Sequence, residues 1–124
     1  MFSEYVSLFS QFYTLAAIIR DKNVLKELEA AISYTSAEET SHFLVGQWVI
    51  NTIRLEYPEL FDEKLKAKLV EEVEVALEAE YKLIDYILGD YTGTKNLSSP
   101  LLKNWIYDRF REGLKGIGFE LYLS

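Results

Sequence analysis

The sequence predicts an all-α fold, a bundle of helices built as one domain over residues 1–124, and three observations predict it. Apolar residues recur every three or four positions along most of the chain, the period of a helix with one face in a core. No run alternates apolar and polar residues as a half-buried strand does, and no internal repeat or low-complexity tract interrupts the pattern. With 49% hydrophobic and 15% aromatic residues in 124 positions, the chain can build a real core, which excludes a disordered protein.

Taken in order, residues from about Ser3 to Arg20 carry Leu8, Phe12, Leu15, Ile18 and Ile19 at helical spacing, with Ser3 as N-cap. Asp21-Lys22-Asn23 is a polar break. A second helix then runs from about Val24 to Glu56 and ends at Tyr57, because Pro58 forbids continuation. The third covers about Glu59 to Leu88, rich in Glu, Lys, Ala and Leu, with Leu65, Leu69, Val73, Ala76, Leu83 and Ile87 on one face and Gly89 as the stop. Gly89 to Ser99 reads as a loop, and Ser99-Pro100 as N-cap and first position of a fourth helix. That helix reaches about Lys115, with Leu101, Trp105, Ile106, Phe110 and Leu114 inward, and glycines at 113, 116 and 118 loosen its end.

Charge and composition narrow the function. A net charge of -7 and a pI near 4.7 argue against a nucleic-acid surface, which needs clustered Lys and Arg. Without cysteine there is no disulfide framework, zinc thiolate or thiol nucleophile, so any metal is held by oxygen and imidazole. Neither a signal peptide nor a membrane span is present in the pattern, and a cytoplasmic protein is expected. A charged position three residues after Met1 reads as though the chain began inside a larger architecture.

The chemistry concentrates in Ala37-Glu38-Glu39-Thr40-Ser41-His42. Leu25, Leu28, Ile32, Thr35, Glu39, His42, Gly46, Val49 and Ile53 step by threes and fours, so Glu39 and the single histidine occupy seam positions that apolar side chains should fill. An unpartnered buried carboxylate costs several kcal/mol, and a metal ion is the natural partner. If the first two helices are antiparallel about a turn near Asp21-Lys22, Glu4 and Glu39 both stand ~26 Å from the turn. The first helix's own seam, Glu4, Leu8, Gln11, Leu15 and Ile18, points Glu4 to the same interior. A dinuclear carboxylate site in a four-helix bundle takes one Glu from each of two helices and Glu-x-x-His from each of the other two. This chain holds one of each, so a second copy or a different chain must supply the rest.

The ordered set Glu4, Phe9, Phe12, Glu38-Glu39-x-x-His42-Phe43, Glu56-Tyr57-Pro58-Glu59 and Ala76 to Leu88 with Glu80 and Tyr86 resembles the C-terminal half of the ribonucleotide reductase small subunit, a ferritin-like family. The likeness spans about Glu4 to Gly118. It implies a ferritin-like bundle that forms half of a di-metal carboxylate core with two further helices. It also implies metal ligands at Glu4, Glu39 and His42, Glu38 just outside them, and iron or manganese, or both, shared with a second chain. The implied activity is oxygen activation and radical generation for deoxyribonucleotide synthesis, with the reductase large subunit as a further partner.

The departures matter as much. The family's N-terminal half, with the other carboxylates, the other Glu-x-x-His and the radical tyrosine, has no counterpart here, so no catalytic residue is carried over. The family usually has Asp at position 38 and a basic residue at 37, where Ala37 stands, and the large-subunit docking tail is largely absent. Glu80 reads as a buried hydrogen-bonded acid, Trp48, Trp105 and the tyrosines as packing, and the Glu71–Lys82 run as a solvated face. Two other functions fit the same residues: a self-associating ferritin-like ferroxidase, and a metal-free helical interaction module.

Overall fold

The computed structural model describes residues 3–90 and 97–119, and for Ser3 and Glu4 the backbone only. The chain is an all-α, ferritin-like bundle, with no strand among the described residues. A π-helical turn, Ser3–Leu8, runs into α1 (Phe9–Lys22); α2 (Lys26–Glu56), a 3₁₀ turn (Pro58–Leu60), α3 (Glu63–Leu88) and α4 (Ser99–Gly116) follow. No described helix is long and apolar enough to cross a membrane.

The four expected helices are present, with shifted ends. The α1–α2 turn lies later than expected, at Asn23–Leu25, where Asn23 (φ 54°) and Leu25 (φ 55°) are both left-handed and α1 continues through Lys22. Left-handed backbone is common for Asn and unusual for Leu. Arg20 closes the hairpin by donating to Glu29 at 2.7 Å. Past Pro58 the chain first makes the 3₁₀ turn, and α3 starts only at Glu63, where the Asp62 carboxylate accepts from the Leu65 N–H at 2.8 Å. The cap of α4 is Ser98, one residue before the expected one, and its hydroxyl accepts from the Leu101 N–H. Gly89 ends α3 as expected, donating its N–H to the Asp85 carbonyl. Residues 91–96 of the expected loop, the Ser3 cap and the tail beyond Phe119 lie outside the described residues.

The core lies between α3 and α4 and reaches the π turn: Val6, Val73, Leu77, Ile84, Leu102, Ile106, Phe110 and Leu114 are buried in one cluster. Some inward assignments were off by one position. Leu102 is buried where Leu101 was expected, Ile84 where Leu83 was, and Leu77 next to the half-buried Ala76, while Leu65, Leu83 and Ile87 are exposed. Asn51 and Arg54 of α2 lock the far end of α4. Asn51 donates to the Gly116 carbonyl at 2.9 Å, and Arg54 donates to Asn51 at 3.0 Å. The Arg54 guanidinium fills the space a Cβ would need at Gly118, whose φ of +86° also favours glycine. On the solvent side Lys82 pairs with Glu78 at 3.0 Å, in keeping with the expected charged face.

Candidate metal centre

The buried stripe of α2 runs Ile32, Ser36, Phe43, Gln47, Ile50 and Arg54, each buried or half-buried. The expected seam shares Ile32 but otherwise lies one residue earlier, a rotation of about 100°. Its members Leu28, Thr35, His42, Val49 and Ile53 are exposed. The correction has a physical cause: α2 is apolar on two adjoining sides, and this chain covers only one of them, with α1, the π turn and the end of α4. Glu39 and His42 therefore stand at the margin of the core, with side chains 19% and 63% exposed, rather than inside it.

One helical turn brings their donor atoms together, His42 Nδ1 and Glu39 Oε2 being 3.2 Å apart. Glu38 is exposed beside them. Glu4 lies in the π turn, and its side chain is outside the described residues. The Tyr5 ring stacks on Phe43 with centroids 4.0 Å apart, and with the Arg20–Glu29 pair this sets the hairpin register. By that register Glu4 stands level with about residue 44, some five residues or ~7 Å past Glu39 and nearer the turn that carries His42. The equal heights expected for Glu4 and Glu39 are corrected accordingly, because the hairpin pivots near Val24 rather than Asp21-Lys22.

Among the described residues no three of Asp, Glu and His gather into a metal-sized cluster. The donor chemistry still suits a dinuclear centre of oxygen and imidazole ligands: a carboxylate and an imidazole converge at the edge of an uncovered face. That face continues onto α1, where Leu15 and Ile18 are 43% and 42% exposed. Between α1 and α3 it opens into a groove of about 290 Å³ walled by Gln11, Thr14, Leu15, Ile18, Leu83 and Ile87, with Glu80 at one end. Glu80 is the hydrogen-bonded acid expected from its place in α3: the Ser7 hydroxyl donates to Oε1, and Oε2 is buried without a described partner.

The family model described as ribonucleotide reductase, small chain, matches residues 1–122. This chain belongs to that family. Membership carries a role in ribonucleotide reduction of the small-subunit kind, in a family that generally uses a dinuclear metal cofactor and works with partner chains. A search of curated proteins finds no match to the sequence.

Sequence reasoning missed Arg109 of α4, whose side chain engages the π turn that carries Glu4. Its guanidinium carbon lies 3.5 Å from the Tyr5 ring centroid, 4.8 Å from that of Phe9 and 5.1 Å from that of Trp105, and its Nε donates to the Tyr5 carbonyl at 3.0 Å. Burial holds its pKa below the usual arginine value, with Tyr5 acting in the opposite sense. The signal was a cation one turn from Trp105 within an apolar helical pattern. Trp105 stacks on Tyr13 and is packing, as expected, whereas Trp48 is 68% exposed and is not.

Proposed function

We propose that this chain supplies half of a dinuclear iron or manganese carboxylate site, with Glu4, Glu39 and His42 as ligands and Glu38 next to them, inside a ribonucleotide reductase small-subunit assembly. The observation that supports this best is the pair Glu39 and His42, whose donor atoms converge to 3.2 Å on a face the chain leaves open. A ligand pair meant for this chain alone would be expected to close against its own helices. Here the adjoining apolar stripe of Leu28, Val49 and Ile53 is left for other helices to cover. A second copy or a complementary chain brings the remaining carboxylates and the second Glu-x-x-His, since His42 is the single histidine.

When bound, the metal pair supplies oxygen activation that supports radical generation for deoxyribonucleotide synthesis. The protein's part is to hold two oxygen donors and one imidazole in place and to keep water from the finished site. α2 fixes Glu39 and His42 relative to each other, and the π turn fixes Glu4 against α2 and α4. The large subunit is the further partner this reading calls for.

Metal content tests the reading. Purified chain loaded with iron(II) or manganese(II) is expected to retain metal, and His42→Ala is expected to lose most of it while keeping its helices by circular dichroism, because helix formation rests on the apolar contacts. Unchanged metal per chain in His42→Ala would remove Glu39-x-x-His42 as the site.

A further inference from the structure

A π turn is a rare and locally unfavourable winding that persists where outside groups satisfy and pack it. The turn Ser3–Leu8 has two such groups, each reaching from a different helix. From α4, Arg109 donates Nε–H to the Tyr5 carbonyl at 3.0 Å while its guanidinium plane covers the Tyr5 ring. From α3, Glu80 accepts the Ser7 hydroxyl. On the remaining side Phe43 stacks on Tyr5. Phe43 and the guanidinium, 4.0 and 3.5 Å from the ring centroid, are too close to share one face, so Tyr5 is held between them. Phe43 directly follows His42 in α2, so this sandwich links Arg109, the residue after Glu4, and the residue after His42 in one contact series.

We propose that Arg109 is a positioning residue for the metal site, fixing the π turn and through it the height and rotation of Glu4 relative to Glu39 and His42. The inference rests on the reading of Glu4 as a ligand. Arginine suits the task because a planar guanidinium lies flat on a ring while its edge N–H meets a carbonyl, which an ammonium cannot do at once. Its location in α4 also explains why a helix with no ligand of its own packs on the π turn.

Manganese(II) alone is the probe, titrated into the full-length chain in its native assembly while the spectrum of free manganese is followed by electron paramagnetic resonance. Glu4→Gln is expected to weaken binding, and Arg109→Met is expected to weaken it roughly tenfold, as loss of a support behind a ligand does. The double variant is expected to bind within about twofold of Glu4→Gln, because a residue acting only through Glu4 has nothing left to act on. Losses that multiply in the double variant, or wild-type affinity in Arg109→Met, would overturn the positioning role. No loss in Glu4→Gln would instead remove Glu4 from the ligand set and the inference with it, whatever His42→Ala shows. If Arg109→Met loses helical signal, Arg109→Lys is read in its place. It keeps the cation among the rings, is expected to bind several-fold more weakly, and overturns the proposal if its affinity is that of the wild type.

Discussion

Tyr5 and Phe43 stack with ring centroids 4.0 Å apart and planes 14° from parallel, joining the π turn to the middle of α2. Phe43 is one of only two buried residues of α2, the other being Ile32. A helix of 31 residues thus rests on few anchors, and the anchor beside His42 is aromatic on both sides.

Truncating that anchor should be costly. Phe43→Ala is expected to destabilise the chain by about 3–5 kcal/mol, the usual cost of a large buried side chain. Tyr5→Leu, which keeps the apolar bulk and loses the ring pair, is expected to cost about 1 kcal/mol. Urea unfolding followed by circular dichroism measures both, and equal midpoints for Phe43→Ala and the wild type would show that α2 is held elsewhere.

The helices were legible because period and punctuation agree: Pro58 and Gly89 end α2 and α3 where backbone chemistry requires. The face of α2 was not, and the reason is specific. Leu28, Val49 and Ile53 make one apolar stripe, and Ile32, Phe43 and Ile50 make another one residue on. A single sequence shows both stripes and does not say which is covered from within the chain. The approach of Glu39 to His42 within one helical turn is local in the sequence and was therefore readable, as was the hydrogen-bonded acid Glu80. Arg109 was not, since its meaning depends on meeting Tyr5 across 104 positions. The hairpin register also escaped, because Leu25 adopts a backbone conformation that its side chain does not advertise.

The open stripe predicts association. Leu15 and Ile18 of α1, Leu28, Val49 and Ile53 of α2, and Leu83 and Ile87 of α3 are all exposed large apolar residues. Monomers seldom leave contiguous apolar patches beyond a few hundred Å² uncovered. The isolated chain is expected to be dimeric or larger, and Val49→Lys with Ile53→Glu to shift it toward monomer. Light scattering at micromolar concentration checks this, and a stable wild-type monomer would count against a shared site.

The last expectation separates radical generation from simple iron oxidation. Two copies related by a two-fold axis would duplicate every ligand and so assemble two Glu and two Glu-x-x-His sets, because an isologous interface presents each residue twice. Such a dimer is expected to bind two metals and to take up oxygen when iron(II) is added. It is not expected to reduce ribonucleotides alone, since no residue of the sequence is assigned to a substrate site, a part this reading leaves to the large subunit. A complementary chain with the other Glu-x-x-His and an oxidisable tyrosine changes that outcome: the mixture then gives a persistent organic radical, and the large subunit completes the activity. Oxygen uptake and the paramagnetic spectrum, recorded on the isolated chain and on its mixture with such a partner, distinguish the two. A persistent radical in the isolated chain would place the oxidisable residue among its own nine tyrosines and two tryptophans and overturn the need for a complementary chain. No oxygen uptake in either sample would favour a helical module without metal chemistry.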